Sequence, residues 1–570
     1  MKRVLRNNRL QTAACTIVAG ASVAIASLAG AAPASAHVGH AAANGVLSME
    51  SSPVGEASGF NPFVPTSAAV TVGATSLIYE PLFQANLAQP AKKNGAPNVY
   101  PFLATGFKWG SGGKSITFTI RQGVKWSDGT AFTPADVAFT YNLLKQYPAI
   151  NGGGLPITGA TVSGNTVTVK FSSSEYSDFQ EVAGSVYIVP QHLWASAGDP
   201  SKFLDPNPVG TGPYTVQSVG ASGVVLQANN SYWGGPFGGH GAPAVKTVEF
   251  PALSSNTSAL SALLTDQVQW GGNFIPGFEK AVAGKPIVNN SPPGNTNSFE
   301  PNLSKWPTNQ LAVRQAISLA LNRSAIGLQG EAGQELPVTN ASGLPLPVFT
   351  PYLSPSVKKD KVSAHANIAG AAKVLKAAGY KKAGKYWAYK GKVVKFSITD
   401  PSSYSDYKAD DLLAAQELQK AGIDATFEGL SVNQWNADMA TGNFELTQHW
   451  STTAANPVQQ YNDWLNSKLA TKTNRAGNFE GLKDSKVDAM LAKAAATAPG
   501  PGLVKALAPI EQYVATNLPI IPTVYGATWG QYNTGEFSGW PASKGSGQYE
   551  TAQPSAPTNE VVVLHLTPKS

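Results

Sequence analysis

Acid–base or metal chemistry would need histidines, cysteines and carboxylates brought close together, and this 570-residue chain spreads them thinly. Its seven histidines are His37, His40, His192, His240, His365, His449 and His565, and Cys15 is its one cysteine. His37 and His40 alone make a poor metal site. No His-Glu-x-x-His or Gly-x-Ser-x-Gly run occurs. His449 reads as a hydrogen-bonded structural side chain, although its place beside Trp450 at a strand end could bring it to a cleft. Gly112-Gly113-Lys114-Ser115 has the ending of a phosphate loop, but Lys108 stands where the first glycine belongs, and a strand pattern follows where a helix should. Asp410 and Asp411 are expected at a helix start, where they suit the helix dipole. Asp463 is a third acidic candidate. No two carboxylates stand out as acid and base, so no enzyme, cofactor or metal is expected. Aromatic side chains remain: Trp450, Trp464, Tyr525, Trp529, Tyr532 and Trp540 gather in the last quarter, able to pack a core or stack on a ligand. Trp435, inside a helix pattern, reads as core.

The elements that would position these side chains show in the apolar periodicity. Ser115 to Arg121 alternates as a half-buried strand does, between turns at Gly110–Gly113 and Ser127–Thr130. Pro134 opens a helix to Lys145, with Thr133 as N-cap. Thr161 to Phe171 reads as a hairpin about Gly164-Asn165, and Val209 to Asn229 as paired strands about Gly220. Asn309 to Leu328 predicts one helix, Ile368 to Ala378 another stopped at Gly379. Between 393 and 450 the pattern runs strand (Val393–Thr399), helix (Tyr407–Ala421), strand (Ile423–Phe427), helix (Val432–Thr441), strand (Phe444–Trp450). This βαβαβ order implies a parallel sheet. Ligands on such sheets sit beyond the carboxyl ends of the strands, here Asp400 to Tyr404, Gly429 to Ser431 and Trp450 to Asn456. Two further helices are predicted near Val487–Thr497 and Leu503–Asn517. The β-prone run Glu560 to Leu566 is expected to form an ordered strand or extended tail.

With 42% apolar residues the chain can bury a large core, and only 13% are charged, against about 25% in typical globular proteins. That argues against charge-driven disorder and against a nucleic-acid binder built on basic stripes. The formal charge of +7 owes four units to Lys2, Arg3, Arg6 and Arg9, in a stretch with no acid before His37. Residues 1–36 read as a secretory signal: a basic start, an apolar stretch from about Thr12 to Gly30, and Ala34-Ser35-Ala36 as a cleavage site. A membrane anchor is the competing reading, but the stretch is rich in Ala and Gly and ends at Pro33. Cys15 precedes most of the apolar stretch, so no lipid anchor is expected. Cleavage near Ala36 would leave an extracytoplasmic (periplasmic, cell-surface or secreted) chain without cysteine and hence without disulfides.

Six segments, in order, resemble the family 5 extracellular solute-binding proteins of ABC importers, which serve peptides, nickel complexes and some oligosaccharides. They are Leu77–Phe83 (LIYEPLF), Ile116–Tyr141 (ITFTIRQGVKWSDGTAFTPADVAFTY), Gly210–Tyr214 with Asn230–Trp233, Val313–Ala316, Asn322-Arg323, and Leu518–Pro522 (LPIIP). The resemblance covers about residues 44–545. It implies an α/β, two-lobed clamp of the periplasmic-binding-protein type (type II) with an extra α+β subdomain. Lobe I would comprise 37–82, 191–295 and 524–570, with the subdomain at 83–190 and lobe II at 296–523. It also implies a solute captured between the lobes and handed to a membrane permease pair with cytoplasmic ATPases, by a monomer without covalent chemistry.

In peptide-binding relatives the cleft tryptophan is followed by a W-x-A-D-Y-like run whose Asp pairs with the peptide ammonium group. Here the run is Trp450-Ser451-Thr452-Thr453-Ala454, and Thr453 stands at the Asp position. Oligopeptide remains the first expectation, held through main-chain bonds near Asn61 and Phe299 and through Trp450, Tyr525 and Trp529, with little dependence on a free amino terminus. Oligosaccharide is the alternative, since Trp450 beside Ser451, Thr452, Thr453 and Asn456 suits sugar faces and hydroxyls. A secreted hydrolase, from another class, would need paired acids in a cleft, and a surface adhesin is a third reading.

Overall fold

The computed structural model describes residues 45–51, 54, 59–89, 98–220, 222–237, 239–253, 256–471, 474–542 and 549–569. The expected signal, Cys15, His37 and His40 lie outside them. The alternation of Ser115–Ile120 places Ile116, Phe118 and Ile120 inward and fully buried. This strand is central in an antiparallel sheet ordered Ala104–Trp109, Ser115–Ile120, Thr166–Phe171, Ile157–Ser163. The helix Pro134–Gln146 packs on it, opened by a capping box between Thr133 and Asp136. A second four-stranded sheet pairs Val46–Ser48 in parallel with Thr247–Pro251, followed by the antiparallel Gly223–Ala228 and Tyr214–Gly220.

The six-stranded sheet runs Leu336–Pro337, Ile521–Tyr525, Asn297–Pro301, Leu446–Trp450, Lys395–Pro401, Asp424–Leu430. Its last three strands are parallel, with Lys395–Pro401 in the middle and the helices Ser405–Ala421 and Val432–Thr441 as crossovers. Each crossover helix ends on a glycine in the left-handed region, Gly422 (φ +83°) and Gly442 (φ +70°), as a residue without Cβ allows. The βαβαβ pattern is therefore present as expected. Helices Pro457–Leu465, Ser485–Ala495 and Pro501–Asn517 form a separate core around Tyr461, Val487 and Ile510.

Three expectations fail locally. The helix expected to reach Leu328 stops at Ala320; Asn322 then caps a new turn by accepting from Ala325 N, and a π-turn follows at Ile326–Gly330. Asp410 and Asp411 are not at a helix start, because the helix begins at Ser405; they lie in its second turn, fully buried. The β-prone C-terminal run is helical, Thr558–His565. Val561, Val562 and Val563 are wholly buried there in the core that also holds Leu47 and Phe118, and Asn559 Nδ2 donates to Gly73 O. Burial on several sides overrides the strand propensity of β-branched residues.

Candidate ligand-binding cleft

Two chain segments cross between the six-stranded sheet and a three-stranded sheet ordered Trp270–Gly271, Gln531–Asn533, Ile287–Asn289. They run side by side and bond to each other: Asn290 N donates to Gly530 O (2.7 Å), Thr528 N to Pro292 O (2.8 Å), Gly294 N to Gly526 O (2.9 Å) and Gly526 N to Asn295 O (3.0 Å). A Cβ at Gly526 would sit 1.8 Å from Asn295 Oδ1, so a side chain there would displace the Asn295 amide. Glu335 fastens both segments, accepting from Ala527 N (2.7 Å) and Asn297 Nδ2 (2.8 Å).

Beside these segments lies a cavity of about 960 Å³, at the upper end of the usual range for ligand pockets. One wall is the carboxyl end of the parallel strands: Ser403 to Tyr407 after Lys395–Pro401, and Trp450 and Thr453 after Leu446–Trp450. The opposite wall is Asn273, Phe274, Pro276, Trp529 and Gln553, with Asn295, Asn297, Ala527, Thr528 and Glu335 at the crossing.

Five aromatic side chains, Phe274, Tyr404, Tyr407, Trp450 and Trp529, line the cavity among polar groups. Trp450 is 42% exposed and stacks on His449 (centroids 4.4 Å, 18° between planes). Tyr407 lies 6.3 Å from Trp450 and 5.8 Å from Tyr404, and Phe274 meets Trp529 edge-on at 5.6 Å. Polar groups are side-chain amides, hydroxyls and the carboxyl groups of Asp406 and Glu335; among the described residues no Lys, Arg or His side chain lines the cavity. Asp406 sits in the first turn of the Ser405–Ala421 helix, where its carboxylate caps backbone N–H groups. Burial nevertheless raises its pKa. Glu335 is raised well above the carboxylate range by burial and by Glu331. His449 is pushed down to about 4 by burial, while Glu300, 3.8 Å away, is pushed up to about 8 by burial and by Asp400, so both are neutral near pH 6. His449 is thus a structural ring behind Trp450.

The structure places three of the seven expected site residues in the cavity wall: Trp450, Thr453 and Trp529. The other four lie elsewhere. Asn61 is buried, donating to Pro200 O and Phe203 O, and it shapes a loop. Phe299 is fully buried in the sheet core, while its strand neighbour Asn297 reaches the cavity. Tyr525 is buried with its hydroxyl on Thr339 (3.0 Å to both N and Oγ1). Asn456 caps the Pro457–Leu465 helix and also donates to Ser177 O. Sequence reasoning missed Asp406, Glu335, Tyr407 and the amides. The segment ending at Tyr404 was already marked as a ligand-facing strand end, and one more helical turn would have reached Asp406 and Tyr407.

Among the described residues no group of three or more His, Cys, Asp or Glu could hold a metal ion, and no helix is long and apolar enough to cross a membrane.

Comparison with known proteins agrees with this architecture. A protein described as "Probable peptide-binding protein YejA" from Agrobacterium fabrum is 25% identical over 496 residues, 79% of this chain and 80% of its own. The dipeptide-binding protein of Escherichia coli is 28% identical over 300 residues, 48% of this chain and 54% of its own. The crystal structure of a periplasmic oligopeptide-binding protein of an ABC transporter from Thermotoga maritima superposes with TM-score 0.82 at 24% identity, covering 92% of this chain and 99% of that one. A second structure of that protein, bound to mannohexaose, gives TM-score 0.76. These neighbours establish the two-lobed periplasmic-binding-protein fold. Residues 98–472 match the profile of the bacterial extracellular solute-binding proteins, family 5, and the chain belongs to that family of ABC-transporter binding proteins.

Proposed function

We propose that this protein captures an oligopeptide carrying a free ammonium or guanidinium group, and delivers it to an ABC permease. The observation that carries this reading is the cavity itself: five aromatic side chains and the Asp406 carboxylate line it, and among the described residues no basic side chain does. Such a wall suits a cation, through charge-assisted bonds and ring faces, and disfavours an anion. Thr453 cannot form the ion pair that the family's Asp makes, but Asp406 offers a carboxylate in the same cavity. The expectation that a free amino terminus matters little is therefore replaced. Glu335 is 4% exposed with both oxygens engaged at the crossing, which leaves Asp406 as the available acid and leaves a hydrolase without its pair.

Lobe I is assigned to 37–82, 191–295 and 524–570, its extra subdomain to 83–190 and lobe II to 296–523. The chain works as an extracytoplasmic monomer after cleavage near Ala36, with a permease pair and cytoplasmic ATPases as partners. Oligosaccharide is the second reading. The side-chain amides of Asn273, Asn295, Asn297 and Gln553, which line the same cavity as Trp450 and Trp529, support it, as does the mannohexaose-bound neighbour.

Calorimetry with di- to pentapeptides, their acetylated forms and manno- or gluco-oligosaccharides tests both. Lys- or Arg-containing and unblocked peptides should bind best, and Asp406→Asn should weaken them by about 10- to 100-fold, the loss of one charge-assisted bond. Equal binding of blocked and unblocked peptides to wild type and Asp406→Asn would remove Asp406 from the site. Binding of sugars alone would displace the peptide.

A further inference from the structure

The charge of the chain is unevenly placed. Residues 361–399 contain nine lysines and neither Asp nor Glu. Four more basic residues fall in the first 36, so the rest of the chain holds 28 basic side chains against 34 acidic ones. All nine lysines are exposed. Six of them lie on or beside a small antiparallel sheet, Lys381–Ala383, Tyr386–Tyr389 and Lys392–Val393, which joins the helix Ile368–Ala377 to the central strand of the parallel sheet.

Register sorts this sheet into faces. Lys382 pairs with Trp387, and Tyr389 with Lys392, which puts two lysines and two rings on one side. Lys382 Nζ lies 4.5 Å over Trp387 and Lys392 Nζ 5.2 Å over Trp306. Trp306 in turn stacks near Tyr380 and Tyr389 (6.4 and 6.3 Å). Lys385 and Lys390 cover the rings of Tyr386 and Tyr389. The stems lie along the rings while the ammonium groups remain exposed, the behaviour of lysines at an apolar–water boundary. Of these nine lysines, Lys395 alone forms an ion pair within 4 Å among the described residues, with Asp424 at 3.7 Å, and Asp424 also lies near Lys385.

We propose that this lysine-and-tyrosine/tryptophan sheet is a docking surface for the anionic headgroups of a phospholipid bilayer, holding lobe II against the membrane where the permease sits. Two observations select lipid. The unpaired positive charge is local on a chain that is otherwise net negative, so attraction is oriented. Trp306, Tyr386 and Tyr389, which are only partly buried while Tyr380 and Trp387 sit in the core, are ring side chains of the kind that favour the headgroup region. The ligand cleft contributes none of these residues, so docking and solute binding are separable.

The test is co-sedimentation of the full mature chain with vesicles of phosphatidylcholine alone and with added phosphatidylglycerol. Lys381, Lys385, Lys390 and Lys392 are changed together to Gln, sparing Lys382, whose Nζ also bonds Lys385 O. Wild type should bind the anionic vesicles, release them as salt is raised, and ignore neutral ones. At about fivefold per lysine, the quadruple variant should lose roughly 100-fold or more in partitioning. Its peptide affinity and melting temperature should not change. Equal binding to both vesicles, no binding, or undiminished binding by the variant would overturn the proposal. So would retention on a soluble polyanion such as polyphosphate with none on anionic vesicles, which would point to a polymer.

Discussion

Trp450 shows what one residue gains from its position. It ends a central strand of the six-stranded sheet, paired there with Asn297, and its ring lines the cavity. His449, neutral because burial holds its pKa at about 4, forms a flat backing for it. The ring is therefore pre-oriented, and ligand stacking does not have to order it. Trp450→Ala should weaken the bound solute by about 1.5 kcal/mol, roughly tenfold in Kd. The melting temperature should hardly move, because the side chain is 42% exposed. Unchanged affinity in calorimetry would take Trp450 out of the site for peptide and sugar alike.

At the scale of elements, the crossing segments are where closure must bend the chain, and Glu335 ties them together. Glu335→Gln leaves one amide end facing a donor, either Ala527 N–H or the Asn297 amide. It should destabilise the protein by about 1–3 kcal/mol in thermal or urea unfolding; an unchanged midpoint would show that these bonds are replaceable. The C-terminal helix Thr558–His565 offers a second check: amides of Val561 to Val563, wholly buried, should exchange slowly in the native protein. The same elements show how far sequence reading reaches. The βαβαβ region was legible because its crossover helices end in glycine, so local signals agree with the fold. Trp450 and Thr453 followed from that topology. The Val561–Val563 helix did not, since three adjacent valines favour a strand until packing on several sides decides otherwise. Asn61 and Tyr525 were misjudged for a related reason: a polar side chain near a cleft segment can as well be spent on its own backbone, and only distances distinguish the two.

Across the whole molecule, several interior acids face one another and have no cation beside them. Asp400 faces Asp411, and Asp410 faces Glu331, with Gln448 donating from its backbone N to Asp400 and from Nε2 to Asp410. Glu80 faces Glu560 under Tyr232 and Trp233. The buried cations do not offset them, for Arg314 and Arg323 donate to backbone carbonyls. Burial, the largest cause in each case, raises Glu80 to about 7 and Asp400, Glu300, Glu331 and Glu550 to about 8. In the unfolded chain these groups titrate near 4. Between those values the folded protein binds more protons than the unfolded one, so stability falls as pH rises. The contribution is fully present below about pH 4 and is lost as pH rises through 7 to 8. Melting temperature should therefore be higher at pH 5 than at pH 8, the reverse of a protein stabilised by salt-bridged carboxylates. Asp411→Asn keeps a donor for Asp400 without a second ionisable group, and should shrink the difference between pH 5 and pH 8. Scanning calorimetry across that range decides it: a melting temperature that is flat or climbs towards pH 8 would mean that the paired acids ionise at ordinary values, and that the interior tolerates their charge.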